Sequence, residues 1–246
     1  MKMKLSKKDI VVVIPVYKST CSKAEEQSIL QGKKILQDYQ TVLLCPDSMD
    51  VSNYLSINGD LKIERFPDTS FESIAAYNQL MMSPMFYRRF HAYQYMLIYQ
   101  TDAWVFKDEL LEWCEKGYDY IGAPWVRIPP PNKKVIFNLS KFLLGKVGNG
   151  GFCIRNVQKF YRSAIFYRPL SWLFPKNEDF FWCLMMPKLN PFFSIPSAAI
   201  ALRFAFELDP SDCYKKTGGQ LPFGCHAWEK YEPEFWSAFI PQATPD

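Results

Sequence analysis

The sequence of 246 residues has no C-x-x-C pair, although it holds seven cysteines, at positions 21, 45, 114, 153, 183, 213 and 225. Their wide gaps exclude a zinc-finger or thioredoxin pattern, and their odd number disfavours a disulfide framework, so the expected setting is a reducing compartment. No run is long and apolar enough to cross a bilayer. The stretch from Pro191 to Phe206 comes closest and contains Pro196 and Arg203. There is no G-x-G-x-x-G and no G-K-[ST], which removes the dinucleotide fingerprint and the Walker loop. Internal repeats and low-complexity tracts are also absent. Net charge is only +4; it favours an anionic ligand such as a diphosphate, but is too mild and dispersed to argue for nucleic acid.

What is present is a globular composition, 48% hydrophobic and 22% charged, long enough for one domain with a sizeable core. Aromatics reach 17%, with 20 Phe, 14 Tyr and 7 Trp; most belong in the core, yet flat rings also stack on sugars and bases. The N-terminus, MKMKLSKKDIVVVIPVY, mimics a signal peptide. Its apolar run stops at Pro15 and no small-residue cleavage site follows, so it reads as a first strand of a soluble, cytoplasmic protein. Lys2, Lys4, Lys7 and Lys8 read as a solvated cluster, with at most peripheral contact to an anionic membrane surface.

In chain order, Ile10 to Val16 is continuous and β-branched, as an interior parallel strand should be. Glu25 to Tyr39 reads as a surface helix, Thr41 to Cys45 as a strand, and Leu61 to Phe66 as a strand nearer an edge. Ser70 is the expected N-cap of a helix to Met82, stopped at Ser83-Pro84, and Met85 to Ala92 continues helical. Tyr95 to Tyr99 is a buried strand that halts at Gln100-Thr101-Asp102 and resumes with Ala103 to Phe106. Asp108 should cap a helix through Glu115, and Tyr118 to Ala123 should be another strand. This is an α/β plan with a mixed, mostly parallel central sheet flanked by helices. Residues 126–146 change texture, with three consecutive prolines and clustered lysines, and read either as a flap over a site or as a plain surface insertion.

Four features carry chemistry. Asp102 ends an interior strand, where open α/β sheets bind ligands, or it simply turns the chain. Val147-Gly148-Asn149-Gly150-Gly151-Phe152 precedes a strand and lets backbone approach a ligand closely. Asn177-Glu178-Asp179-Phe180-Phe181-Trp182 opens an aromatic helix with two adjacent carboxylates, either as a dipole-complementing cap or as groups projecting into a cleft as a base. Phe223-Gly224-Cys225-His226-Ala227-Trp228 holds one of two histidines; the other, His91, reads as surface or supporting.

In their order and spacing, Y-M-L-I-Y-Q-T-D-A-W-V-F, Y-D-Y-I-G-A-P-W, G-N-G-G-F, N-E-D-F-F-W and F-G-C-H-A-W resemble the GT-A-type glycosyltransferases, and more closely a bacterial polysaccharide-biosynthesis branch of them. The resemblance spans roughly Ile10 to Trp228. It implies a single GT-A-like, Rossmann-related domain. Residues 10–106 would be a nucleotide-binding half, 107–230 an acceptor-binding and catalytic half, and 231–246 a C-terminal tail. It further implies that Gln100-Thr101-Asp102 replaces the family's D-x-D motif, with Asp102 and His226 holding Mn²⁺ or Mg²⁺ against the donor's diphosphate. Gln100 departs from the pattern, since it stands where the first Asp would be. Asp179 takes the place of the general base of inverting enzymes, with Glu178 orienting it or binding the acceptor. Pro15, Val16, Tyr17 and Lys18 would hold nucleobase and ribose; Trp125, Asn149, Gly150 and Gly151 would line the cleft; Trp182 would be a sugar platform. The implied donor is a UDP-hexose, such as galactose in pyranose or furanose form, and the acceptor a glycan or lipid-linked glycan of a cell-surface polysaccharide such as O-antigen or capsule. A non-catalytic sugar-binding module and a sugar nucleotidyltransferase stay open as alternatives. Against the latter, Pro15-Val16-Tyr17-Lys18 lacks a glycine.

Overall fold

The structure, a computed structural model, describes residues 4–127, 143–171 and 178–241. Among the described residues nine strands form two sheets. β1 (Ile10–Pro15), β2 (Gln40–Pro46), β3 (Lys62–Phe66), β4 (Tyr95–Tyr99), β6 (Tyr120–Ile121) and β7 (Phe152–Asn156) make a six-stranded sheet in the order β3-β2-β1-β4-β7-β6. β5 (Ala103–Val105), β8 (Ala205–Phe206) and β9 (Gly224–His226) make a smaller one in the order β5-β9-β8. β1 to β4 run parallel, and β7 lies antiparallel to both β4 and β6. The expected mixed, mostly parallel sheet is therefore present.

Burial on both faces explains the unbroken apolar run of β1. Ile10, Val12 and Ile14 pack with Ile29 and Leu36 from α1 (Lys23–Ile35) and its C-terminal flank. Val11 and Val13 face the opposite side, which is covered by α3 (Ile74–Met81), α4 (Pro84–Arg89) and α6 (Val157–Phe166). Each such side chain contributes about 1.5–3 kcal/mol by leaving water, so the pattern commits the strand to the middle of the sheet. Two further short helices are α2 (Ser52–Ile57), which no sequence pattern marked, and α5 (Leu110–Glu115).

Several local expectations need correction. Ser70 lies in a 3-10 turn, Asp68–Ser70; the α3 cap is Ser73, whose hydroxyl accepts from the Ala76 amide at 3.1 Å. Ser83-Pro84 does not merely stop that helix but starts the next, with Ser83 accepting from Met85 N at 3.2 Å. Asp108 does not cap α5. It accepts from Tyr39 Oη at 3.0 Å and pairs with Lys7, which also binds Asp38 at 2.9 Å. Lys7 is thus tied to carboxylates rather than held ready for lipid. Ala103 to Val105 does not continue β4 but crosses into the second sheet, against β9. The expected strand over Tyr118 to Ala123 shortens to Tyr120–Ile121. Of the expected C-terminal tail, the described part is built in: Trp236 and Ile240 are buried, and Trp236 stacks on Phe106 with ring centroids 5.9 Å apart.

Residues 128–142, most of the expected flap, lie outside the described residues, as does Asn177. The chain on either side of residues 126–146 is joined by a bridge between Pro124 and Val147. All seven cysteines are free, and among the described residues no helix is long and apolar enough to cross a membrane.

Candidate functional site

Strand order dictates where a ligand goes. From β1 the sheet grows through β2 and β3 on one side and through β4 on the other, so the order reverses between β1 and β4. Their carboxyl ends diverge there and leave a crevice. That crevice is a cavity of about 680 Å³, lined by Pro15, Val16 and Tyr17 at the end of β1 and by Gln100, Thr101 and Asp102 after β4. Phe71 to Asn78, entering α3, form a further wall.

The small sheet delivers a second group of side chains. Its register pairs Ala103 with His226, so Asp102, one residue before β5, meets the last residue of β9. Glu207 follows β8, on the far side of β9. The imidazole is held between them: Nε2 lies 3.1 Å from Asp102 Oδ1 and 3.0 Å from Gln100 Oε1, and Nδ1 lies 3.3 Å from Glu207 Oε2. Burial opposes charge on His226, but Glu207 and Asp102 outweigh it and raise the ring's pKa well above its usual value. Burial likewise works against the Asp102 carboxylate, and the hydrogen bond and charge of His226 still hold it below the usual range.

The glycine loop separates this group from the next. Gln100 N donates to Gly151 O at 2.9 Å, which sets the loop alongside the end of β4. Asn149 adopts a left-handed φ of 65°. A Cβ on Gly151 would sit 2.0 Å from His226 Nε2, and one on Gly150 would sit 2.6 Å from Glu178 Oε1 and 2.7 Å from Asp179 Oδ1. Those distances are below any tolerable contact, so the imidazole and both carboxylates close on the backbone only because these two positions lack side chains.

Behind the loop, Glu178 and Asp179 open a helical turn, Glu178–Phe180, which passes through a π-helical stretch, Phe181–Met185. Such stretches recur at functional sites, because the extra residue re-aims side chains. Arg155, on β7 and fully buried, donates from Nη2 to Glu178 Oε1 at 2.9 Å and from Nη1 to Tyr87 Oη at 2.9 Å. Glu178 Oε2, Asp179 Oδ1 and Asn149 Nδ2 are buried without hydrogen-bond partners among the described residues. Burial first, and the neighbouring Glu178 charge second, push the Asp179 carboxyl far above the ordinary carboxylate value; Arg155 offsets only part of this.

Most residues singled out from sequence therefore converge: Pro15, Val16, Tyr17, Gln100, Thr101, Asp102, Asn149, Gly150, Gly151, Glu178, Asp179 and His226 line one cavity. Three do not. Trp182 has no exposed surface and packs on Phe160, with ring centroids 4.4 Å apart, so it is a core residue rather than a sugar platform. Trp125 is buried against Gly148 and supports the loop without lining the cavity. Lys18 is not among the lining residues; its carbonyl accepts from Tyr54 Oη at 2.9 Å and its ammonium lies over the ring of Tyr17. Glu207, Glu25, Arg155 and the α3 wall went unnoticed. Glu25 accepts from Thr101 Oγ1 at 3.0 Å. Glu207 had one faint signal, being the first carboxylate after Asp179 in a long apolar stretch.

The charge of the walls is one-sided. Glu25, Glu72, Asp102, Glu178, Asp179 and Glu207 line the cavity, and no Lys or Arg is among the described lining residues. Among the described residues no three His, Cys, Asp or Glu side chains form a ready-made cation cage. Asp102, the Gln100 amide oxygen and, once the ring gives up its Nε2 proton, His226 are nonetheless a donor set a hard divalent ion accepts when a ligand adds oxygens. Glu207 Oε2 stands 3.3 Å behind Nδ1, the side from which carboxylates orient metal-binding histidines. The residues fit the ion.

Comparison with solved structures places the fold. LgtC, solved as an active-site mutant, superposes with a TM-score of 0.54 at 15% identity, covering 95% of this chain and 92% of that one. The glycosyltransferase GlyE of Streptococcus pneumoniae gives 0.53 at 13% identity, over 95% of this chain and 60% of that one. The bifunctional glycosyltransferase WbbM gives 0.52 at 14%, over 91% and 46%. This chain thus spans nearly all of LgtC and only part of the other two. No curated protein matches the sequence. Residues 60–226 match the family described as "Protein of unknown function (DUF5672)". The chain is a member of that family, built on the α/β fold of the GT-A-type glycosyltransferases.

Proposed function

We propose that the protein is a glycosyltransferase that moves a sugar from a nucleoside diphosphate donor to a glycan hydroxyl. One observation carries this reading. A cavity at the sheet's switch point has two carboxylate groups on opposite sides of one glycine loop, and its described walls have no basic side chain except His226. Carboxylates with free lone pairs suit a sugar's hydroxyls, whereas a diphosphate in such walls requires a cation.

In this reading residues 10–106 hold the nucleotide. Its base and ribose lie along Pro15, Val16 and Tyr17 against the Phe71 to Asn78 wall. Asp102 and His226 would hold the divalent ion, Mn²⁺ or Mg²⁺, and Gln100 would contribute its amide oxygen where the family's first Asp would stand. When bound, that ion neutralises charge growing on the diphosphate. Asp179 accepts the proton of the acceptor hydroxyl as that oxygen attacks the anomeric carbon. The carbon–oxygen bond to the diphosphate breaks, and the nucleoside diphosphate leaves with the electron pair. Attack opposite the leaving group inverts the anomeric centre. A buried carboxylate with a raised pKa is a stronger base than an exposed one, which suits a hydroxyl that loses its proton late. Glu178, anchored by Arg155, points its second oxygen at the acceptor. We assign the donor as a UDP-hexose, the acceptor as a glycan or lipid-linked glycan of a cell-surface polysaccharide, and the site of action as the cytoplasmic side of the membrane.

Incubation with UDP-, GDP- and TDP-sugars, with Mn²⁺ or with a chelator, tests the reading. Release of nucleoside diphosphate that requires the ion and falls in His226→Ala supports it. Binding without turnover of any donor, or pyrophosphate release from a nucleoside triphosphate, contradicts it. NMR of the product's anomeric configuration decides inversion.

A further inference from the structure

Charge along this chain is sharply segregated. Between Tyr120 and Phe206 there are twelve lysines and arginines, and the only carboxylates are the cavity's Glu178 and Asp179. The rest of the chain holds seventeen basic residues against twenty-three acidic ones. An overall charge of +4 conceals both halves.

In the fold, part of this basic segment lies on one face with exposed apolar groups. α6 buries Val157, Phe160 and Ala164 against the sheet and turns Arg162, Ile165 and Phe166 outward, with Lys159 at the edge. The segment from Leu189 to Phe192 runs beside α6. Tyr167 Oη donates to Leu189 O at 3.1 Å near one end, and Lys159 Nζ donates to Phe192 O at 3.3 Å near the other. Phe192 is 80% exposed, Phe166 76% and Ile165 51%. Lys188 flanks the strip and is exposed, and no carboxylate lies within α6 or between Leu189 and Phe192. β7 runs away from the cavity and α6 returns along it, so Phe166 stands at the cavity's end of the sheet.

We propose that this strip is a docking surface for an anionic phospholipid bilayer. Lysine and arginine side chains gain from lipid phosphates within a Debye length of the surface. Phenylalanine and isoleucine gain by entering the boundary between headgroups and acyl chains. A strip that interleaves the two, with no carboxylate in either of its segments and only the buried Asp119 near Lys159, matches both layers of that boundary. Nucleic acid would use the cations and leave Phe192, Phe166 and Ile165 in water. The inference does not depend on the proposed transferase activity, because lipid binding is read without a sugar donor.

The test is flotation of the full chain with phosphatidylcholine vesicles, with and without phosphatidylglycerol. Wild type should float with the anionic vesicles and stay behind with the neutral ones. The double variant Lys159→Glu, Arg162→Glu should lose at least about tenfold in partition, each basic residue contributing a comparable increment. Phe166→Ser with Phe192→Ser should lose a similar factor while keeping its charge. Lys34→Glu with Lys215→Glu applies the same charge change elsewhere, Lys34 lying on α1 across the sheet, and should float as wild type does. All these positions are partly or fully exposed, so unchanged thermal melting checks the fold of each variant. Equal flotation with neutral and anionic vesicles, or equal loss in the Lys34/Lys215 pair, would overturn the proposal. So would aromatic variants that still float fully, since the strip would then be a general polyanion site.

Discussion

Asp102 and Asp179 are two carboxylates on opposite sides of one glycine loop, and the fold drives them in opposite directions. Both are penalised by burial. Asp102 faces an imidazole wedged against Glu207 and is held ionised, below the usual carboxylate range. Asp179 stands in a buried place beside the Glu178 charge, which Arg155 offsets only in part, and is driven toward its protonated form. The lesson is that the partner, not the residue type, assigns the role. A permanently ionised carboxylate suits a cation, and a proton-hungry one suits a base.

The comparison breaks most severely at Asp179. Asp179→Asn should lower turnover by about 10²–10⁴-fold, with nucleotide affinity unchanged, as steady-state kinetics beside calorimetric binding will show. The same variant should be more stable at neutral pH. Between the ordinary carboxylate pKa and its raised value, the folded chain keeps a proton that the unfolded chain releases. Stability therefore falls as pH climbs through that window, and asparagine removes the dependence. Thermal melts across pH check the sign. In wild type the acidic limb of the rate profile should lie well above pH 4, because only the ionised base accepts a proton.

Next in size is Arg155→Ala, which strands a buried Glu178 and should cost about 3–5 kcal/mol of stability in denaturant unfolding. Adding Glu178→Leu should recover most of the loss. A smaller effect is expected behind His226: Glu207→Gln should weaken Mn²⁺-dependent nucleotide binding by about 10–100-fold and leave ion-independent binding alone. Last, Gly151→Ala forces a methyl into the His226 ring and should cost about 1–3 kcal/mol of stability, measured by the shift in urea midpoint, together with part of the ion's affinity.

Much of this was legible in the residues. Continuous apolar runs identified β1 and β4 because both faces of an interior parallel strand are buried, and Asp102 stood out as the polar residue at such an end. The G-N-G-G spacing marked a close backbone approach, and at Gly150 and Gly151 side chains do close on the backbone. What escaped has a common cause. Arg155 looks like a surface residue until β7 is seen antiparallel beside β4, and Glu207 joins the site only through the pairing of β5, β9 and β8. Such contacts are set by topology, which local patterns do not encode. Trp182 misled for the converse reason: an aromatic beside two functional carboxylates suggests stacking, but a π-helical turn points it into the core.

The division of labour is tested most directly by isothermal titration of UDP into wild type, Asp102→Asn and Asp179→Asn, each with and without Mn²⁺. The account predicts that Mn²⁺ tightens UDP binding in wild type and in Asp179→Asn but not in Asp102→Asn. Ion-dependent binding that survives in Asp102→Asn and vanishes in Asp179→Asn would reverse the two roles and contradict it.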